Sequence, residues 1–150
     1  MLDPSPRLDA DAFIDRWAAS GGAEHANAQT FLVELTDLLG VPRPDPTTGD
    51  PSRDGYLFER PLAFPDGTQG KGFIDWYRRC AFVWETKQGA DAKRTAGGRP
   101  LRKGHGVRGS AAWEAAMDAA RNQAEGYARN LEATEPPPFV VVCDVGGVAD

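Results

Sequence analysis

One hundred and fifty residues, 41% hydrophobic and 26% charged, make a chain of ordinary single-domain size with enough apolar side chains for a core. Its net charge of −5, from 17 basic and 22 acidic residues, excludes a uniformly basic nucleic-acid-binding chain. No run approaches the roughly 20 apolar residues of a membrane span. The opening Met1-Leu2-Asp3-Pro4-Ser5-Pro6 lacks the basic and apolar regions of a secretory signal, so the expected setting is cytoplasmic, with no membrane partner.

In chain order, residues 10–19 are predicted as a short helix ending before Gly21-Gly22. A second helix is predicted over Ala23–Leu39, with Phe31, Leu32, Leu35, Leu38 and Leu39 on one face and Gly40 as its stop. Pro42, Pro44, Pro46, Gly49 and Pro51 mark an irregular loop. Tyr56–Phe64 reads as a first strand, and Pro61 makes it irregular or an edge. An Asp66-Gly67 turn leads to two strands, Lys71–Tyr77 and Ala81–Lys87. The stretch Gln88–Ser110 is rich in glycine and basic residues. A helix follows from Ala111 to about Ala133, with Trp113, Met117, Ala120, Ala124, Tyr127 and Leu131 spaced for burial, and Pro136-Pro137-Pro138 ends it. Phe139–Cys143 is a continuous apolar run, expected as a buried strand reached by a crossover. Cys80 and Cys143 match no zinc or thioredoxin spacing and read as buried, inert thiols.

The two central strands carry Asp75, Glu85 and Lys87 in the spacing Asp-x9-Glu-x-Lys. A three-residue connection at Arg78–Cys80 pairs Asp75 with Val83 and Phe73 with Glu85. By strand alternation Asp75, Glu85 and Lys87 then share a face. Such charges are costly among Phe73, Ile74, Trp76, Tyr77 and the run Ala81–Trp84 unless a partner or a metal compensates them. Mg²⁺ and Mn²⁺ take carboxylate, carbonyl and water oxygens. Asp75, Glu85 and the Thr86 carbonyl are the expected donors, with Lys87 as a charged helper that orients water or neutralises a phosphate. Glu34, on the second helix, is a further candidate metal or water ligand, weighed against a solvated position. The alternative is a set of surface ion pairs of little energetic consequence.

Charge is unevenly distributed. Residues 1–60 carry net −6, residues 61–110 net +6, and residues 111–150 net −5. The basic island surrounds the Asp-Glu-Lys set, which favours a phosphate-backbone partner over a merely solvated loop. Gln88, Lys93, Arg94, Arg99, Arg102, Lys103 and Arg108 are the candidate DNA contacts, while His105 between two glycines reads as a loop histidine.

The order αβββαβ, with Ile74-Asp75 on the second strand and Glu85-Thr86-Lys87 on the third, resembles the PD-(D/E)xK restriction-endonuclease-like fold. This sequence departs from the pattern in lacking proline before the aspartate. The resemblance implies an α/β domain with a central mixed sheet flanked by helices. Gln123-Ala124-Glu125-Gly126-Tyr127 is similar to the Gln-x3-Tyr motif of RecB-like nucleases, an i, i+4 pair sharing one helix face.

A closer resemblance covers most of residues 12–145. Phe13–Trp17, Glu24–Leu32, Glu34–Pro42, Tyr56–Arg60, Gly72–Asp75, Trp84–Gly89 and Gln123–Leu131 are similar to the N-terminal start of type IIL, MmeI-like restriction–modification enzymes. In that group an N-terminal nuclease precedes a helical connector, an adenine methyltransferase and a target-recognition domain. The resemblance implies a Mg²⁺- or Mn²⁺-dependent DNA endonuclease active against foreign DNA. Asp75, Glu85 and Lys87 would cut, Gln123 and Tyr127 would support them, and double-stranded DNA would be the partner, with transient dimerisation upon it.

No Asn-Pro-Pro-Tyr methyltransferase motif is present, so S-adenosylmethionine belongs only to the parent enzyme's further domains. The expected organisation is a helical lead-in over 1–22 and a nuclease core over 23–145, a piece of a larger enzyme. Two other readings stand beside this one. One is a RecB-like repair or recombination nuclease; the other is an inactive nuclease-like module that only binds DNA.

Overall fold

Asp9 begins the first helix, α1 (Ala10–Ala18), by accepting the Asp11 backbone N–H on its side chain, the usual duty of an N-capping aspartate. The structure, a computed structural model, describes residues 9–20, 24–63, 71–88, 107–131 and 136–145. The second helix, α2 (Glu24–Leu39), stops at Gly40, whose φ of +67° suits glycine. There the N–H of Val41 reaches back to Thr36 O and that of Gly40 to Asp37 O, a Schellman closure of the last carbonyls.

Four strands follow in one sheet: β1 (Tyr56–Ala63), β2 (Lys71–Arg78), β3 (Phe82–Lys87) and β4 (Phe139–Asp144). Their spatial order is their chain order. β1–β2 and β2–β3 pair antiparallel and β3–β4 parallel, so the sheet is mixed. A parallel neighbour needs a crossover, and helix α3 (Ala111–Asn130) supplies it. Ser110 caps α3 by accepting the Trp113 N–H at 3.3 Å. Pro61 lies on β1, an outer strand of the described sheet, where its missing N–H costs least.

The sheet separates two apolar cores. On one face Leu57, Leu62, Ile74, Tyr77 and Val83 pack with Ala124, Tyr127 and Leu131 of the α3 segment. On the other, Trp76 and Val145 pack with Phe13 and Trp17 of α1 and Phe31 and Leu32 of α2. Each large side chain buried here contributes about 1.5–3 kcal/mol. The small Ala120 and Ala124 let the α3 backbone approach the sheet closely.

The predicted order of elements holds, with boundaries shifted by a residue or two; the Asp66-Gly67 turn falls outside the described residues. Four expectations need correction. Phe139–Cys143 is not a buried strand: β4 is an outer strand of the described sheet, only part-buried, and Phe139 is 66% exposed. Leu39 is 61% exposed, because the Gly40 turn ends the helix before its last leucine faces the core. Cys80 is exposed, not buried: it sits in the β2–β3 turn with φ of +55°. That turn also moves the register. Tyr77, not Asp75, pairs with Val83, and Arg78 pairs with Phe82, so Arg79–Ala81 form the connection. A slip of two residues preserves the facing of side chains, and the pattern of apolar positions alone did not resist it.

Candidate functional site

The β2–β3 pairing reaches Trp76↔Trp84 and is then taken over by a side chain. Asp75 Oδ2 accepts the Thr86 backbone N–H at 2.6 Å and the Thr86 hydroxyl at 2.6 Å. A carboxylate thus stands where a strand carbonyl would be. The cause lies in a break of alternation shared by two strands. On β1–β2 the register passes from Phe58↔Trp76 to Arg60↔Ile74, stepping over Glu59 and Asp75. Glu59 has φ of +50°, and Ile74 and Tyr77 both serve the α3-facing core while Trp76 serves the other. Asp75 occupies the discontinuity, where its carboxylate is turned to β3.

β3 keeps its alternation: Val83 serves the α3-facing core and Phe82 and Trp84 the other, so Glu85 and Lys87 fall on one face of the strand and Thr86 on the other. Glu85 is 3% exposed and its neighbour Thr86 is also buried. Lys87 Nζ donates to Glu85 Oε1 at 2.7 Å, a nearly buried ion pair on one strand. The structure therefore brings Asp75 to Thr86 and Glu85 to Lys87, with Thr86 lying between the two paired residues of β3.

On α3, Gln123 Nε2 donates to the Tyr127 hydroxyl at 2.5 Å, so the i, i+4 pair bonds to itself. Tyr127 is in the same core as Tyr77 and Val83, while Gln123 is exposed. Glu34 is placed elsewhere: its Oε2 accepts from Trp17 Nε1 at 2.9 Å and its Oε1 pairs with Arg16 at 2.9 Å, in a cleft between α1 and α2. Both oxygens serve helix packing. Gln88 is half-buried at the end of β3, and among the described residues its Oε1 has no hydrogen-bond partner. Lys93, Arg94, Arg99, Arg102, Lys103 and His105 lie outside the described residues.

Arg108, expected as a phosphate contact, is bonded within the chain. Its Nε and Nη2 donate to the two oxygens of Asp144 at 2.6 and 3.0 Å. Trp113 Nε1 donates to the same carboxylate at 2.8 Å. Asp144 pairs in parallel register with Lys87, so this knot ties the start of α3 to the strand position beside the ion pair. Sequence reading missed Asp144. The available signal was a lone acid closing the apolar run Phe139–Cys143, at the strand end where a parallel sheet presents its functional residues. Next to it, burial and then the charge of Asp144 push the Cys143 thiol up to about 11, so it is no nucleophile near neutral pH.

The donor chemistry bears on which ion these residues suit. Among the described residues no group of three or more His, Cys, Asp or Glu side chains is arranged to hold a metal. Asp75, Glu85 and the Thr86 carbonyl offer only oxygen donors, two carboxylates and one carbonyl. Such a set fits Mg²⁺, which keeps several waters and borrows one or two carboxylates.

Among the described residues no helix is long and apolar enough to cross a membrane. No curated protein and no solved structure matches the chain. A family model described as "MmeI, N-terminal domain" matches residues 8–146, which take in every strand and helix described above. The chain belongs to the MmeI N-terminal domain family.

Proposed function

We propose that this chain is the DNA-cleaving domain of a restriction–modification enzyme, a PD-(D/E)xK nuclease core acting by divalent-metal-dependent phosphodiester hydrolysis on double-stranded DNA. The observation that carries this reading is the capture of the Asp75 carboxylate by Thr86, the β3 residue that stands between Glu85 and its ion-pair partner Lys87, where the β2–β3 ladder ends. The left-handed Glu59 and the break of alternation on β1 and β2 that turns Asp75 to β3 are local strain of the kind that clusters at functional sites.

Asp75, Glu85 and the Thr86 carbonyl would hold Mg²⁺ or Mn²⁺. When bound, such an ion polarises a phosphoryl oxygen and makes a bound water a better nucleophile. The rest is the work of the chain. Thr86 fixes the Asp75 carboxylate through two donors, so no reorganisation is needed when substrate arrives. Glu85 holds Lys87 in place, and Lys87 supplies positive charge beside the phosphate and orients the attacking water. The Arg108–Asp144–Trp113 knot keeps the end of β4 aligned with Lys87. The Gln123–Tyr127 pair supports the site from α3. Both strands of a duplex are cut when a second copy joins on the DNA.

Incubation of the chain with supercoiled plasmid and Mg²⁺ or Mn²⁺ tests this. Nicking is expected in wild type. It is expected to disappear with a chelator and in Lys87→Ala at a temperature where circular dichroism shows that variant folded. Nicking that survives Lys87→Ala refutes the site, and a wild-type chain that nicks with neither metal refutes the activity for this chain.

A further inference from the structure

Arg60 stands on β1 opposite Ile74, beside the position of Asp75 on β2. It is 7% exposed, yet among the described residues its guanidinium meets no carboxylate or carbonyl. It lies over the Tyr77 ring, 4.5 Å from the centroid, and its Nε is buried without a hydrogen bond. An aromatic face returns only part of what desolvating a cation costs, so among the described residues this charge has no neutralising partner. The contrast with Arg108 is direct, since that side chain has both oxygens of Asp144.

A second observation points the same way. Glu59, immediately before Arg60, adopts φ of +50°, a conformation that non-glycine residues enter at a cost. This kink is where β1 changes facing and delivers Arg60 to Tyr77, directly across from the break that exposes Asp75 to Thr86. Strain and an uncompensated buried cation together beside one carboxylate mark a place kept for a ligand of opposite charge.

We propose that Arg60 is a phosphate-binding residue of this site, its guanidinium taking non-bridging oxygens of a DNA backbone phosphate at the β1–β2 break. The proposal deepens the nuclease reading and rests on it. Arginine's planar fork matches two phosphate oxygens at once, and stacking on Tyr77, itself 1% exposed, holds the plane ready. Seclusion from water strengthens a charge-assisted hydrogen bond to the incoming anion.

Thermal unfolding of the chain with and without inorganic phosphate, in wild type and Arg60→Met, tests the assignment. Phosphate is expected to raise the wild-type midpoint by about 3 °C. Arg60→Met is expected to unfold at the same or a higher temperature without phosphate, because an uncompensated charge has gone, and to show no phosphate shift. Its affinity for a short duplex, measured by fluorescence anisotropy without divalent metal, should fall about ten-fold. Arg60→Met unfolding several degrees below wild type makes Arg60 structural and overturns the proposal. So does a phosphate shift that is equal in both proteins or absent from both. None of these readouts needs cleavage. A chain that cuts DNA but keeps its phosphate shift in Arg60→Met refutes only the Arg60 assignment; one that loses the shift but never cuts refutes only the nuclease reading.

Discussion

Replacing Lys87 by alanine removes the partner of a carboxylate whose side chain is 4% exposed, and the consequences can be worked out. Breaking a buried pair by deleting one member typically costs about 3–5 kcal/mol, since the remaining charge stays desolvated. The Lys87 side chain keeps 23% exposure, so water reaches that side of the pair and the low end, about 3 kcal/mol, is expected. With a urea slope of about 1.5 kcal/mol per molar, the unfolding midpoint should fall by about 2 M. The reverse truncation, Glu85→Gln, leaves Lys87 able to turn to solvent and should cost only about 1 kcal/mol. Adding Glu85→Gln to Lys87→Ala removes the stranded charge, so the double variant should regain more than half of the loss. Because the pair is buried, raising salt should change these differences little. A Lys87→Ala midpoint within experimental error of wild type, or strictly additive effects in the double variant, refutes the reasoning.

Other expectations follow from the same contacts. Thr86→Val deletes the 2.6 Å hydroxyl bond to Asp75 and should cost about 1.5–3 kcal/mol, read by urea unfolding; no loss would remove Thr86 as the anchor of that carboxylate. Hydrogen bonds from the Thr47 and Thr48 hydroxyls and the Thr48 N–H hold Asp54 down to about 2, below its unfolded value near 3.9. Its stabilising contribution is therefore complete above about pH 5 and lost as pH falls toward 2. The gap in unfolding midpoint between wild type and Asp54→Ala should shrink across that window, and a gap that grows on acidification contradicts the assignment. Iodoacetamide at pH 8 should modify the exposed Cys80 and spare Cys143, whose thiol is raised to about 11; peptide mass mapping reads both.

The elements were legible in the sequence because their signals are local. Glycine and proline punctuate α2 and the loops, and 3.6-residue spacing places Ala120, Ala124, Tyr127 and Leu131 on the buried side of α3. The mixed sheet followed from the α3 crossover, which makes β4 parallel to β3. Register was harder. A two-residue slip leaves every apolar side chain on its proper face, so only the conformation of Cys80 in the turn decides it. The break of alternation at Glu59 and Asp75 could not be read from period-two patterning, which presumes the regularity that β1 and β2 give up there. The bond from Arg108 to Asp144 was hidden for a similar reason. The position of Arg108 in a basic run suggested phosphate, whereas its partner Asp144 lies 36 residues away on another element. The resemblance in motifs pointed to the right family, and the family model over residues 8–146 agrees with it.

The most direct test of the central claim is calorimetric titration of Mn²⁺ into the wild-type chain, Asp75→Asn and Glu85→Gln. The account predicts saturable binding by wild type and at least ten-fold weaker binding in each variant, since each substitution removes one of two carboxylates from an all-oxygen set. Undiminished affinity in either variant, while circular dichroism shows both folded, would contradict it, and so would a wild-type chain that takes up no metal.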